Sequence, residues 1–311
     1  MPTSIPRIAY FAQSGTLTLP VTGDNGKFTG DYKTYVLPIN SANIEVTRPI
    51  EAVTAFGQFK SLNTAQTNIT TCKSTFKTYL GTGEKIDGLT AEVINNIIAA
   101  TQSEKIGIVV SPGGFSMSGI LNSLGVDISL GGFAMADLSF AGVGNPIIAE
   151  ASGHTTPVTE AMTIAPVTTM TIGSGDALSG IFATSIKFTY DLPTDTLGAL
   201  GENPNANQDQ MRSIIATKAP YKSTITVEGY GIDITSGRLD KSITGVFGIG
   251  NIGVQLPKAK ISAKSFNNAA GQVSATFSIT AEDVGATFSS ITGVQSYAQN
   301  FDQSNLPMYG G

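Results

Sequence analysis

Gly248-Ile-Gly-Asn-Ile-Gly253 has the spacing of a dinucleotide-binding fingerprint, and an apolar run ending at Phe247 precedes it. That chemistry needs a helix that starts at the glycines and points its N-terminus at the pyrophosphate. Here Val254-Gln-Leu-Pro257 follows, and proline stops a helix within a turn. The segment reads as a glycine-rich turn. Gly81-Thr-Gly-Glu-Lys85 lacks the spacing and the hydroxyl of a P-loop and reads the same way. His154 is the only histidine, set in Glu150-Ala-Ser-Gly-His-Thr-Thr156. A triad needs a base beside a strained nucleophile and a buried acid, and Ser152 is no more than a sequence neighbour. One histidine and one cysteine do not make a Cys/His metal site. Asp24-Asn-Gly26 has the turn of a calcium loop but no acid follows at the right spacing. Nothing points to paired carboxylates, and there is no tryptophan to serve as a sugar platform. The reading is a protein that is not an enzyme, with no catalytic residue, no cofactor site and no metal site.

A chain of 311 residues is long enough for two domains, each with its own core. Charged residues make up 13%, about half the usual share, and 35 glycines with many Ser, Thr and Asn fill the deficit. Such a composition suits extended strands, tight turns and a surface that packs against copies of itself. A net charge of −5 with no Lys/Arg cluster argues against broad nucleic-acid attraction. Cys72 is the single cysteine, so no intrachain disulfide forms. The first residues, Met1-Pro-Thr-Ser-Ile-Pro-Arg7, lack the layout of a signal peptide. The charge-free stretch 106–126 contains Pro112, glycines and serines, and reads as strand and turn rather than a membrane span.

Period-2 alternation dominates the elements. Ala134, Ala136, Leu138 and Phe140 alternate with Met135, Asp137 and Ser139, and Val273, Ala275, Phe277 and Ile279 alternate with Ser274, Thr276 and Ser278. This is the pattern of strands with one buried and one wet face. The pair Gly131–Gly132 is suited to a bulge or bend. Cys72, Ser74, Phe76 and Thr78 share one face, with Lys73 and Lys77 on the other, so Cys72 reads as a small core hydrophobe. One helix is predicted near 89–102, with Val93, Ile94, Ile97 and Ile98 on its apolar stripe and Asn95 and Asn96 opposite. Asp87–Gly88 supplies the turn before it, and Thr90 is the expected N-cap.

The same β-rich unit recurs along the chain. Ile44 and Thr47 match Ile186 and Thr189, Lys73-Ser-Thr75 recurs as Lys222-Ser-Thr224, and residues 132–140 recur as 271–279. Three anchors in one order predict a duplicated, mainly β chain: a first domain over 1–145, a linker over 146–165 and a second domain over 166–311. The helix has no good counterpart in the second copy, whereas the connection 198–210 is longer than its counterpart 57–68. Long connections of this kind are usually functional.

Two segments carry a family resemblance. They are Ser41-Ala-Asn-Ile-Glu-Val-Thr-Arg-Pro-Ile-Glu-Ala-Val-Thr-Ala-Phe-Gly57 and Leu124-Gly-Val-Asp-Ile-Ser-Leu-Gly-Gly-Phe-Ala-Met-Ala-Asp-Leu-Ser-Phe-Ala-Gly142. The chain resembles the major tail tube proteins of long-tailed bacteriophages. The resemblance implies a β-sandwich or half-barrel flanked by a helix, with subunits joined into rings that stack around a DNA-conducting lumen. In duplicated members, three chains give a pseudo-sixfold ring. The implied partners are copies of the chain itself, other tail proteins and passing DNA bound without sequence preference, with no membrane. The implied location is the virion tail, after synthesis in the host cytoplasm without secretion. The long loops are expected to carry contacts between subunits or rings through Gln58, Lys60, Asn63, Gln66 and Asn68, and through Glu202, Asn203, Asn205, Gln208 and Gln210. Net negative charge would help DNA slide if the acids face the lumen. The alternative is a β-sandwich tail-tip, adhesive or receptor-binding protein, which exposed aromatic clusters would favour; Tyr79, Tyr221 and Tyr230 are the candidates.

Overall fold

The protein is represented by a computed structural model that describes residues 8–10, 14–22, 28–48, 50–53, 63–66, 70–82, 86–102, 108–111, 115–129, 132–144, 147–148, 161–164, 170–171, 181–199, 212–218, 220–231, 242–243, 246–249, 252–256, 259–269, 272–282 and 286–290. Seven strands come first: β1 (Ile8–Tyr10), β2 (Ser14–Thr22), β3 (Phe28–Thr47), β4 (Ile50–Val53), β5 (Asn63–Gln66), β6 (Thr71–Tyr79) and β7 (Gly81–Thr82). The one helix among the described residues, α1 (Ala91–Gln102), follows them. Then come β8 (Ile108–Ser111), β9 (Phe115–Ser129), β10 (Met135–Val143), β11 (Ile147–Ile148), β12 (Ala161–Ile164) and β13 (Met170–Thr171). The remainder is β14 (Ile181–Asp191), β15 (Thr194–Ala199), β16 (Arg212–Thr217), β17 (Lys222–Gly231), β18 (Ser242–Ile243), β19 (Val246–Ile249), β20 (Ile252–Gln255), β21 (Ala259–Ala269), β22 (Gln272–Glu282) and β23 (Thr287–Ser290). The fold is mainly β.

All the pairings are antiparallel, and one sheet runs through both halves of the chain. In the first half, β2, β3, β6, β10, β9 and β8 pair in a closed circuit. The half-barrel expected from the resemblance is here a complete ring of pairings. The reason is strand length. At 20 residues, β3 pairs with β2 up to Pro38 and with β6 from Ile39 onward. At 15 residues, β9 keeps β10 along one edge and takes β8 and then β14 along the other. From β14 the sheet continues to β17, β22 and β21. A second layer, β13-β19-β20-β23, contributes buried Ile252, Val254 and Phe288 to the core. The Phe188 and Phe288 rings meet edge to face at 5.4 Å.

The strand order β3-β6-β10-β9 of the first half has the same sequence of elements as β14-β17-β22-β21 of the second. A short hairpin, β4–β5 in one half and β15–β16 in the other, follows the first strand of each set. The pairing registers differ by even numbers. Ile44 pairs with Ser74, whereas Ile186 pairs with Val227, four residues past Ser223. Ser74 pairs with Phe140, whereas Ser223 pairs with Ala281, two residues past Ile279. An even shift leaves each side chain on its original face, so the inward set stays inward.

Alternation holds in β6, where inward and outward positions switch at every residue. In β10 it breaks at Ser139/Phe140, where the register against β9 shifts and Leu138, Ser139 and Phe140 are all buried. A bend stands at Gly132, as expected for that pair, with the Gly132 N–H donating to the Ser129 carbonyl at 3.0 Å; Gly131 lies outside the described residues. The helix forms as predicted, and the Thr90 hydroxyl accepts from the Val93 N–H at 3.3 Å. Its stripe of Val93, Ile94, Ile97 and Ile98 is buried. The helix packs against β2, β8 and β9 of the first half and β23 of the second. The two asparagines opposite the stripe are used as well: Asn95 donates to the Phe288 carbonyl at 3.0 Å and Asn96 to the Tyr35 hydroxyl at 2.9 Å. The buried residues of both halves accordingly form one continuous hydrophobic cluster rather than two separate cores. In the stretch expected to link the halves, β11 pairs with β9 and β12 pairs with β1 and β7, all in the first half.

Candidate assembly surface

The face of the sheet opposite the core is polar, because every second residue of its strands is Ser, Thr or charged. Charges alternate across it. Lys73 is in register with Glu45, Lys77 with Asp137, Lys187 with Asp127 and Lys222 with Asp191. The Lys77 Nζ lies 3.4 Å from the Asp137 carboxylate. A shallow groove of 480 Å³ follows this face where the halves join, with Lys73, Lys77, Asp137, Lys187, Thr189 and Asp191 along it. Half-buried beside it, Asp127 has its carboxyl raised above the usual range by desolvation, with a smaller push from Asp137. Lys187 and Lys77 pull in the opposite sense. An extended face on which four lysines are each in register with an acid offers neither a continuous cationic track nor an acidic patch.

Two strand edges are open among the described residues. On the side of β3 away from β6, β2 reaches only to Pro38, leaving the segment from Ser41 to Thr47 with no described neighbour there. β21 pairs with β22 along most of its length, whereas β18 covers only Ala259 and Lys260 on the other side. Both edges carry an apolar side chain on the core-facing side that is not covered. Val46, opposite buried Cys72, is 41% exposed, and Phe266, opposite buried Ala275, is 48% exposed. Lys264, also on that side, sits over the Phe266 ring at 5.8 Å, and the β21 register shifts between Ile261 and Ala263. A bulge and an inward-facing lysine are common guards against indiscriminate strand pairing.

Of the predicted contact residues, Asn63 and Gln66 lie on β5, in register with Val53 and Ile50. Gln58, Lys60, Asn68, Glu202, Asn203, Asn205, Gln208 and Gln210 lie outside the described residues. The described neighbours of these residues are the hairpins β4–β5 and β15–β16. Edge strands that a monomer must hide are expected of such sheets, but which strands they are was not legible, because alternation reports which face a residue takes and not whether a neighbouring strand exists. Lys73 and Lys77 were legible as the outer face of one strand, but their acidic partners on other strands were not.

The chemical motifs resolve simply. The glycine fingerprint is a β-hairpin in which Gly248 pairs with Gly253 and Ile249 with Ile252, with no helix for a pyrophosphate to face. Cys72 is buried, its Sγ is 3.6 Å from the Met117 sulfur, and burial raises its thiol pKa. It behaves as a core residue. Gly81 and Thr82 form β7, while His154, Ser152 and residues 24–26 lie outside the described residues. Among the described residues no group of three or more His, Cys, Asp or Glu is arranged to hold a metal ion. No described helix is long and apolar enough to cross a membrane.

No protein-family model matches this sequence, and no curated protein matches it.

Proposed function

We propose that the chain is a non-enzymatic structural protein, a tail tube subunit of a long-tailed bacteriophage. Two tandem tube units would lie in each chain, and three chains would form a pseudo-sixfold ring that stacks around a DNA-conducting lumen. One observation carries this reading: a single sheet in which the strand order β3-β6-β10-β9 is followed side by side by β14-β17-β22-β21, with an open edge at each end. A sheet built this way is already a segment of a wall. A head-to-tail contact that closes by rotation turns such segments into a ring.

The polar face refines the expectation about charge. Most of its acids stand in register with lysines across the strands, with Glu228 an exception beside Ser185 and Thr276, so the property that supports DNA passage is compensation on a hydroxyl-rich surface rather than an acidic lining. A polyanion gains little by releasing counterions onto such a face. The rival reading, an adhesive or receptor-binding protein, draws no support from the aromatics. Tyr79 is half-buried and edge-on to Phe133, Tyr221 is half-buried, and only Tyr230 of the three is exposed.

Electron microscopy of the purified full chain is the direct test. Hollow tubes or stacked rings are expected, and discrete monomers or solid trimers at every concentration would overturn the proposal.

A further inference from the structure

The internal join between the halves is a template for the join between chains. At that seam β9 pairs with β14 over seven residues, and Val126 stands opposite Phe188. Both side chains are completely buried. The position of Phe188 in β14 is the position of Val46 in β3, two residues past the matched pair Ile186 and Ile44. The position of Val126 in β9 is that of Phe266 in β21. Val126 pairs with Ala136 of β10, Phe266 pairs with Ala275 of β22, and those two alanines are the same residue of the recurring segment. The two open edges therefore present the same apolar pair as the closed seam, with valine and phenylalanine exchanged between the strands. Inside the chain the pair is sealed. At the ends it is 41% and 48% exposed.

We infer that β21 of one chain pairs antiparallel with the 41–47 segment of β3 in a second copy, and that Phe266 packs on Val46 at the centre of that contact. The inference rests on the tube reading for its closure into a ring, but the contact itself follows from the two edges. The template fixes the register: Phe266 opposite Val46, and Asn268 opposite Ile44, as Val126 is opposite Phe188 and Ile128 opposite Ile186. On the polar side this brings Ser265 to Thr47 and Asn267 to Glu45, whereas one step past Thr47 the same register sets Arg48 opposite Lys264, a like-charge pair that ends the contact at Thr47. The contact is heterologous, since each chain offers β21 to one neighbour and β3 to the other. Lys264 and the bulge beside it disfavour a β21–β21 pairing, which would bring the two lysines of a symmetric dimer onto the same side.

Complementation between two broken edges tests this. Val46→Asp leaves the β21 edge intact, and Phe266→Asp leaves the β3 edge intact. Each variant alone should sediment as a monomer with unchanged circular dichroism and thermal unfolding. An equimolar mixture should give a one-to-one dimer and stop there, because only one good edge remains on each side. Wild-type rings together with a mixture that stays monomeric would overturn the edge assignment and leave the tube reading standing. A mixture that dimerises while the wild type forms no ring or tube would keep the assignment and sink the tube reading. Should either aspartate unfold the protein, a Val46→Cys/Phe266→Cys double variant in a Cys72→Ala background replaces the test, since Cys72 is in register with Val46. Oxidation should give a ladder of covalent multimers absent from both single-cysteine proteins, and its absence from assembled wild-type-like rings would overturn the register.

Discussion

Ser74 and Ser223 occupy the same place in the recurring Lys-Ser-Thr segment, face the core and have no hydrogen-bond partner for their hydroxyls among the described residues. A buried hydroxyl without a partner costs about 1–3 kcal/mol of desolvation. Ser74→Ala and Ser223→Ala are therefore expected to leave stability unchanged or raise it by up to about 1 kcal/mol each. Denaturant midpoints measure this, and a loss from both substitutions would mean that the hydroxyls are satisfied. The carboxyl of Asp127 gives a second residue-scale prediction. Its pKa is raised in the folded protein, chiefly by desolvation. A raised carboxyl favours the fold fully below its unfolded pKa, and that contribution is lost as pH rises through the folded value. Asp127→Asn should thus stabilise the protein at neutral pH, by less than about 1 kcal/mol because the site is half solvated. The gain should vanish at acid pH, where the native carboxyl is also neutral. A gain that grows on acidification would contradict the cause assigned to the shift.

At the scale of the elements, the sequence made the faces legible and the neighbours illegible. Alternation gave β6, β10, β17 and β22 their inward residues, and the 3.6-residue stripe with Thr90 gave α1 its position and start. Nothing local announced that β9 pairs with β8, β10, β11 and β14, or that β10 is irregular at Ser139/Phe140. Both follow from how distant strands of unequal length close a circuit. Asn95 and Asn96 misled for the same reason: polar residues opposite an apolar stripe normally face water, but here partners from β23 and β3 reach them. The circuit also explains Gly119 and Gly142, which pair across β9 and β10. A Cβ on Gly119 would sit 2.5 Å from the Ala141 carbonyl oxygen, and one on Gly142 would collide with the Ser118 carbonyl oxygen. These are backbone atoms, so the strand itself must move. Gly142→Ala is expected to cost about 1–3 kcal/mol, as overpacking does, while the equivalent change at Gly30 meets no atom within 4 Å. That second position has a positive φ of 99°, so it carries backbone strain instead of a clash. Thermal unfolding of Gly142→Ala, with Gly125→Ala, whose Cβ would meet only ordinary contacts, as the control, separates close approach from general glycine loss.

For the whole molecule, the candidate site was legible only in outline. Composition and the recurring segments pointed to assembly, and the hairpins β4–β5 and β15–β16 adjoin the two long connections, most of whose residues lie outside the described ones. The edges that carry Val46 and Phe266 were not visible, because an apolar residue in an alternating strand looks like core until the topology shows an end to the sheet. Separate roles for edges and hairpins make a prediction. Exchanging residues 203–210 for a short Gly-Ser turn lies beyond both β15 and β16 and should leave the protomer folded. If this loop bridges successive rings, the variant should yield isolated rings in electron micrographs in place of tubes. Normal tubes would assign the stacking contact elsewhere.

The shared helix also sets a timetable. Ribosomes deliver α1 early, with β2 and β3 already made and β8 and β9 close behind. The remaining cover comes from β23, and the Asn95–Phe288 hydrogen bond joins residues 193 positions apart. Until β23 has been made, that flank of the helix lacks its described cover, and contacts this distant in sequence form slowly. A polypeptide that stops short of β23 therefore carries its strands without the cover that completes the packing of α1.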